Sequence, residues 1–251
     1  MRQMTGGNWT GQAPPSVQHN LRWFWMDGVF ARASDVIIVS YLPLYMLALN
    51  ANRAQIGLTN SLSNLIAALV LLPGAMLVER WGHRKETTVY SGGGLSRIVL
   101  LLLALAPLMF TGPTVIYIAI VLQVVRSAAT NLSLPAWVSL TADMVPLQWR
   151  GRYLSFRNLS MEVAGMITTF LAGYLIALVG GASGYQVAIA IAFAIGMVST
   201  YSFARLQEPP AVAAPAETGH TLRLPLLSHV GDQPHFVALC VAAAIWNSRR
   251  A

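Results

Sequence analysis

The sequence predicts an all-α, polytopic membrane fold of six transmembrane helices with part of a seventh, and three observations carry that prediction. Of the 251 residues, 55% are hydrophobic and only 10% are charged. Six apolar runs follow one another, each of about twenty residues or more, which at 1.5 Å of helical rise per residue covers a hydrocarbon layer of about 30 Å. Basic residues crowd every second turn between the runs, and this fixes which side of the membrane each turn faces.

Residues 1–20 are polar, with Gly6-Gly7, Pro14-Pro15 and no apolar core, and are expected to be a cytoplasmic N-terminal tail instead of a cleaved leader. The bundle is expected over residues 21–206, with runs at roughly 22–49, 57–78, 88–110, 114–142, 156–179 and 184–206. Arg80, Arg84 and Lys85 lie between the second and third runs, Arg150 and Arg152 between the fourth and fifth, and Arg205 and Arg223 after the sixth. The opposite turns hold only Arg53. This bias predicts a multi-pass protein of the plasma (inner) membrane with its N-terminus in the cytoplasm. Residues 207–235, opening on Glu208-Pro209-Pro210, read as a cytoplasmic linker. In residues 236–251 the apolar stretch from Phe236 to Trp246 is too short to cross. It reads as the incomplete start of a seventh helix, with an interfacial helix as the alternative.

Composition also excludes function classes. A net charge of +7 and a pI near 10.1 raise the question of nucleic acid, but the basic residues are scattered between apolar runs, so no nucleic-acid partner is expected. A lone cysteine, Cys240, gives neither a disulfide framework nor a cysteine metal site. The histidines at 19, 83, 220, 229 and 235 fall outside or at the edges of the runs without paired metal-ligand spacing. Ser91-Gly92-Gly93-Gly94 lacks the Lys-Ser/Thr of a phosphate loop and reads as a close helix-packing surface, as do Gly165, Ala172 and Gly173. No nucleophile, base and oxyanion set is visible, so neither an enzyme nor a cofactor is expected. The prolines at 43, 73, 107 and 135 should bend spans or mark their ends.

Charge inside the spans carries the functional reading, because each ionised side chain at the bilayer centre costs about 2.5 to 3.5 kcal/mol on insertion scales. Asp27, Arg32 and Asp35 fall within about 140° of arc in the first span at 100° per residue. Arg32 and Asp35, three residues apart, can pair directly. Asp27 is expected toward the headgroups and Asp35 near the midplane. Gln123, Arg126, Ser127, Thr130, Trp137 and Thr141 make a polar stripe on the fourth span, and Asn158, Glu162, Gly165 and Thr169 another on the fifth. Static pairs such as Arg126 with Glu162 are the structural alternative to a shared aqueous interior. Arg97, in the third span, is expected to snorkel toward the cytoplasmic face.

The order of these features resembles the N-terminal half of a major facilitator superfamily transporter, over about residues 20–206, with the last apolar run similar to the start of that family's seventh helix. The most specific likeness is the turn after the second span. Leu77, Glu79, Arg80, Gly82 and Arg84 occupy places in the family's Gly-x-Leu-x-Asp-Arg-x-Gly-Arg-Lys pattern, while Ala75 stands at the first glycine's place, with Gly74 one position before, and His83 stands for an arginine. The resemblance implies that the acidic residue of the turn caps a helix of the opposite half and that a basic residue engages Asp143 at the inner end of the fourth helix. Arg126 stands where the family's fourth helix carries its buried arginine, with Thr130 in place of a following glycine. The Gly-Pro antiporter signature of the fifth helix is absent between Ser155 and Val179.

The expectation is therefore a bundle of two three-helix inverted repeats that moves a small solute by alternating access, coupled to a proton or ion. Asp35, Arg32, Arg126, Glu162, Gln123 and Asn158 are its coupling and substrate residues, and Glu79, Arg80, Gly82, Arg84 and Asp143 its gating turn. The expected partners are the small-molecule substrate, the lipid bilayer and a second wall, supplied by a missing C-terminal half or by a homodimer partner. The competing class is a half-length scaffold or anchor that does not transport.

Overall fold

The structure is a computed structural model that describes residues 14–208. The remainder of the expected linker and the expected seventh helix lie outside the described residues. Six helices long and apolar enough to cross a membrane make up the described chain: α1 (Pro15–Ala48), α2 (Arg53–Trp81), α3 (Arg84–Met109), α4 (Pro113–Met144), α5 (Leu147–Val179) and α6 (Gly181–Ala204). No strand occurs among the described residues.

Local chemistry sets the ends. Pro15 at the first helical turn of α1 needs no hydrogen-bond acceptor for a missing N–H. The helix thus begins inside the stretch read as tail, and Asn20 is buried there because its amide brackets the chain after α6: it donates to the Gln207 carbonyl and accepts from the Gln207 N–H, each at 2.8 Å. At the start of α2, Asn52 accepts from the Gln55 N–H at 2.8 Å while the Gln55 side chain accepts from the Asn52 N–H at 2.9 Å, a reciprocal cap. α2 stops at Gly82, whose φ of +65° suits a residue without a Cβ and lets its N–H reach the Val78 carbonyl at 3.0 Å. Arg150 closes the end of α4 by donating to the carbonyls of Ala142 and Val145. In α3, Thr88–Leu95 winds as a π-helix through Ser91-Gly92-Gly93-Gly94. Residues 43, 73, 107 and 135, all proline, lie within helices.

Packing is pairwise and repetitive. α1 lies against α5 and α6, α4 lies against α2 and α3, and α3 meets α6. Exchanging α1–α3 with α4–α6 leaves this pattern unchanged, as two repeats of three helices require. Small residues permit the closest approaches: a Cβ on Gly74 would stand 2.6 Å from the backbone oxygen of Leu132 in α4.

Two apolar clusters fill the bundle. One, toward the Asn50 turn, joins Ile37, Tyr45, Met46, Leu103, Ala119 and Ile189. The other, toward the Gly82 turn, joins Leu21, Phe24, Leu140, Tyr153 and Phe203. On every helix that enters both, polar residues occupy the length between. The charge is thus concentrated in one middle layer, with apolar packing on either side to hold it.

Candidate functional site

α1 supplies the axis of this layer, and Asp27, Arg32 and Asp35 within it turn to different partners. Asp35 receives two arginines on one oxygen. Arg97 Nη1 of α3 lies 2.9 Å from Asp35 Oδ1, and Arg126 Nη2 of α4 lies 2.8 Å from the same atom. The Asp35 side chain keeps 40% of its surface open, whereas Arg97 and Arg126 keep 7% and 12%. Arg97 also donates to Ser34 Oγ at 3.0 Å, and Ser34 donates onward to the Ala192 carbonyl at 2.6 Å. Gly196 of α6 makes room for it, since a Cβ there would stand 2.6 Å from Arg97 Cδ.

This arrangement corrects two expectations. Arg97 does not snorkel: it is 6% exposed and spends its charge inside the bundle. Thirteen residues beyond Arg84, or about 20 Å of helix, it lies too deep to reach the headgroups, and the wider π-helical turns of Thr88–Leu95 reset the face it occupies. Nor does Arg32 pair with Asp35. Arg32 Nη2 reaches across to Glu162 of α5 at 2.9 Å, because Asp35 is already held by two cations. Likewise Arg126 pairs with Asp35, not with Glu162.

Asp27, expected toward the headgroups, is enclosed by the bundle. It is 6% exposed, where it accepts from Ser199 Oγ of α6 at 2.7 Å and faces Arg157 Nη2 of α5 at 3.8 Å. Burial of the carboxylate is tolerable because both a cation and a hydroxyl answer it. The Arg157 guanidinium stacks 4.0 Å above the Phe24 ring and donates from Nε to the Phe24 carbonyl at 3.1 Å. Trp137 lies on the same cation, 5.9 Å from its centre. Sequence reasoning missed Arg157. It chose the neighbouring Asn158, which is exposed and outside these networks.

On the fourth helix, Ser127 donates to the Ser63 carbonyl of α2 at 2.9 Å and Thr130 to Ser96 Oγ at 3.3 Å. The stripe there serves partly to tie helices together. Gln123 borders a cavity of about 170 Å³ between α1, α2 and α4, together with Arg126.

The charged turn forms a separate assembly at the other end of α2. Arg84 Nη1 donates to Asp143 Oδ2 of α4 at 2.6 Å and to Ser139 Oγ at 2.9 Å, and its Nε faces Glu208 Oε1 at 3.4 Å. Gly82 supplies the left-handed residue that turns the chain, and Arg80 is exposed in the last turn of α2. The Glu79 side chain lies outside the described residues.

Six apolar helices around a paired but partly open charged interior define a multi-pass membrane protein of the transporter class. The family model described as Major Facilitator Superfamily matches residues 26–248, and the chain belongs to that superfamily. Its members are transporters of small-molecule solutes. No curated protein matches the chain.

Proposed function

We propose that the protein moves a small solute across the plasma membrane by alternating access, driven by a coupled proton or ion, with its N-terminus in the cytoplasm. The observation that carries this reading is the partly open Asp35 carboxylate shared between two buried arginines on different helices. Protonation of Asp35 removes the attraction that draws α3 and α4 to α1, so the interior exchanges pairs and the bundle changes shape. Glu162 is the second candidate carrier. Its ion pair with Arg32 is more open, with 63% of the Glu162 side chain exposed, which makes it accessible but weaker in its hold on the helices.

Gln123 borders the solute's path, and Asn158 lies on the exposed face of α5 one helical turn from Glu162. The turn of Glu79, Arg80, Gly82 and Arg84 with Asp143 gates the cytoplasmic end, and the basic turns on that side support the orientation. A second bundle, in the same polypeptide or in a second copy, forms the opposite wall. The test is uptake of labelled solute by reconstituted protein, using a panel of sugars, amino acids, organic acids and amphipathic cations. At least one should be accumulated against its gradient, and Asp35→Asn should remove the accumulation. No uptake across the whole panel would count against transport.

A further inference from the structure

The cavity between α1, α2 and α4 is built unevenly. It is lined by Arg126 and, one turn earlier on α4, Gln123, by the apolar Leu42 and Met46 of α1 and Ile56 of α2, and by the exposed Asn60. At the α4 wall Arg126 Nε is buried without a hydrogen-bond partner among the described residues; Gln123 Oε1 is too, but as an acceptor it cannot meet an anion, so the donors Gln123 offers one are its amide N–H groups. A buried, unanswered N–H of a cation is costly, and it persists here beside a space that a ligand can enter.

The charge balance gives the sign of that ligand. The network around Asp35 and Glu162 contains three arginines, Arg32, Arg97 and Arg126, against those two carboxylates. Asp27 and Arg157 balance each other separately. One positive charge is therefore left over in the layer, and Arg126 presents it to the cavity. A monoanion restores neutrality there, whereas an amine adds to the excess and a neutral solute can accept from the guanidinium but leaves its charge uncompensated. The cavity, of about 170 Å³, is several times the ~30 Å³ that one water takes in the liquid, which leaves room for a small organic anion.

We infer that this cavity is an anion subsite for a short monocarboxylate, whose carboxylate lies against Arg126 and Gln123 and whose apolar tail lies along Leu42, Met46 and Ile56. The assignment rests on the transporter reading for its purpose, but binding can be read without transport. A guanidinium is suited to the task because it can answer Asp35 from Nη2 and a second carboxylate from its Nε edge.

The test is thermal unfolding of the purified full chain at pH 7 with sodium butyrate, butylammonium chloride, butan-1-ol or sodium chloride at matched ionic strength. Butyrate should raise the melting temperature in a saturable way, and the other three should not. Gln123→Leu, which leaves every ion pair in place, should weaken butyrate binding about tenfold, as expected for a lost hydrogen bond to a charged group. Arg126→Lys should weaken it at least as much. An equal shift with chloride, a larger one with butylammonium, or unchanged butyrate binding in Gln123→Leu would overturn the assignment. Butyrate binding by a protein that carries no solute would support the subsite while removing the transport reading.

Discussion

Arg126 meets Asp35 Oδ1 at 2.8 Å across 91 residues of chain, and this contact joins the first helices of the two three-helix repeats at the centre of the bundle. Neither partner has a low-cost alternative. Without Asp35, Arg97 and Arg126 face each other with no counter-charge, and without Arg126 the carboxylate keeps a single cation. The stability of the middle layer and its capacity to change are therefore properties of the same atoms.

Removing one member should cost more than removing both. Asp35→Asn leaves two buried guanidiniums uncompensated and is expected to lower stability, whereas Asp35→Asn with Arg126→Gln should recover part of the loss. A double-mutant cycle on the melting temperature should give a coupling of about 0.5 to 3 kcal/mol. Strict additivity would contradict a direct interaction.

Arg157 should behave as a buried anchor. Arg157→Ala strands the Asp27 carboxylate and removes the stack on Phe24, with an expected loss of about 3 to 5 kcal/mol. Arg157→Lys keeps the charge but not the planar stack, and should fall between wild type and alanine. Chemical denaturation in detergent micelles ranks the three. Equal stability of lysine and wild type would show that the planar stack adds nothing.

Gly74 faces backbone, which cannot swing aside as a side-chain tip can. Gly74→Ala places a methyl 2.6 Å from the Leu132 oxygen, and should push α2 from α4 at a cost of about 1 to 3 kcal/mol. Gly57, around which nothing lies within 4 Å of such a methyl, is the control on the same helix. Equal melting temperatures for Gly74→Ala and Gly57→Ala would refute the close packing.

The Arg84 and Asp143 pair is more exposed than that of Arg157 and Asp27, with 36% of the Asp143 side chain open against 9% of Asp27, so its worth to stability is about 0 to 1 kcal/mol. Asp143→Asn should leave the melting temperature nearly unchanged yet alter conformational balance. In a Cys240→Ser background, a cysteine at Asn60 should react with a membrane-impermeant maleimide at a rate changed up to about fivefold, which is what 1 kcal/mol corresponds to. An unchanged rate would argue against gating by this turn.

The six spans were legible because apolar length and basic turns are dictated by the bilayer, whatever the tertiary detail. Gly82 and Arg84 were legible for a related reason: the turn needs a left-handed residue, and the basic side chain has an acidic partner at the end of α4. The choice of partners inside the bundle was not. Asp27, Arg32 and Asp35 share an arc on α1, but Asp27 and Arg32 pair with α5 while Asp35 pairs with α3 and α4. The π-helical segment Thr88–Leu95 hid the face of Arg97, since a 100° wheel assumes uninterrupted α-helix. Arg157 was obscured by its neighbour Asn158, which fits the Glu162 stripe at four-residue spacing. The aromatic groups that hold Arg157 come from α1 and α4, and no pattern within α5 reveals them.

The most direct test of the account is pH-gradient-driven uptake in proteoliposomes, measured for a solute that the wild-type protein accumulates. Asp35→Asn should retain downhill exchange but lose acceleration by an imposed proton gradient, while Glu162→Gln reports whether the Arg32 pair shares that role. Full acceleration by the gradient in both variants would contradict a coupling role for these carboxylates.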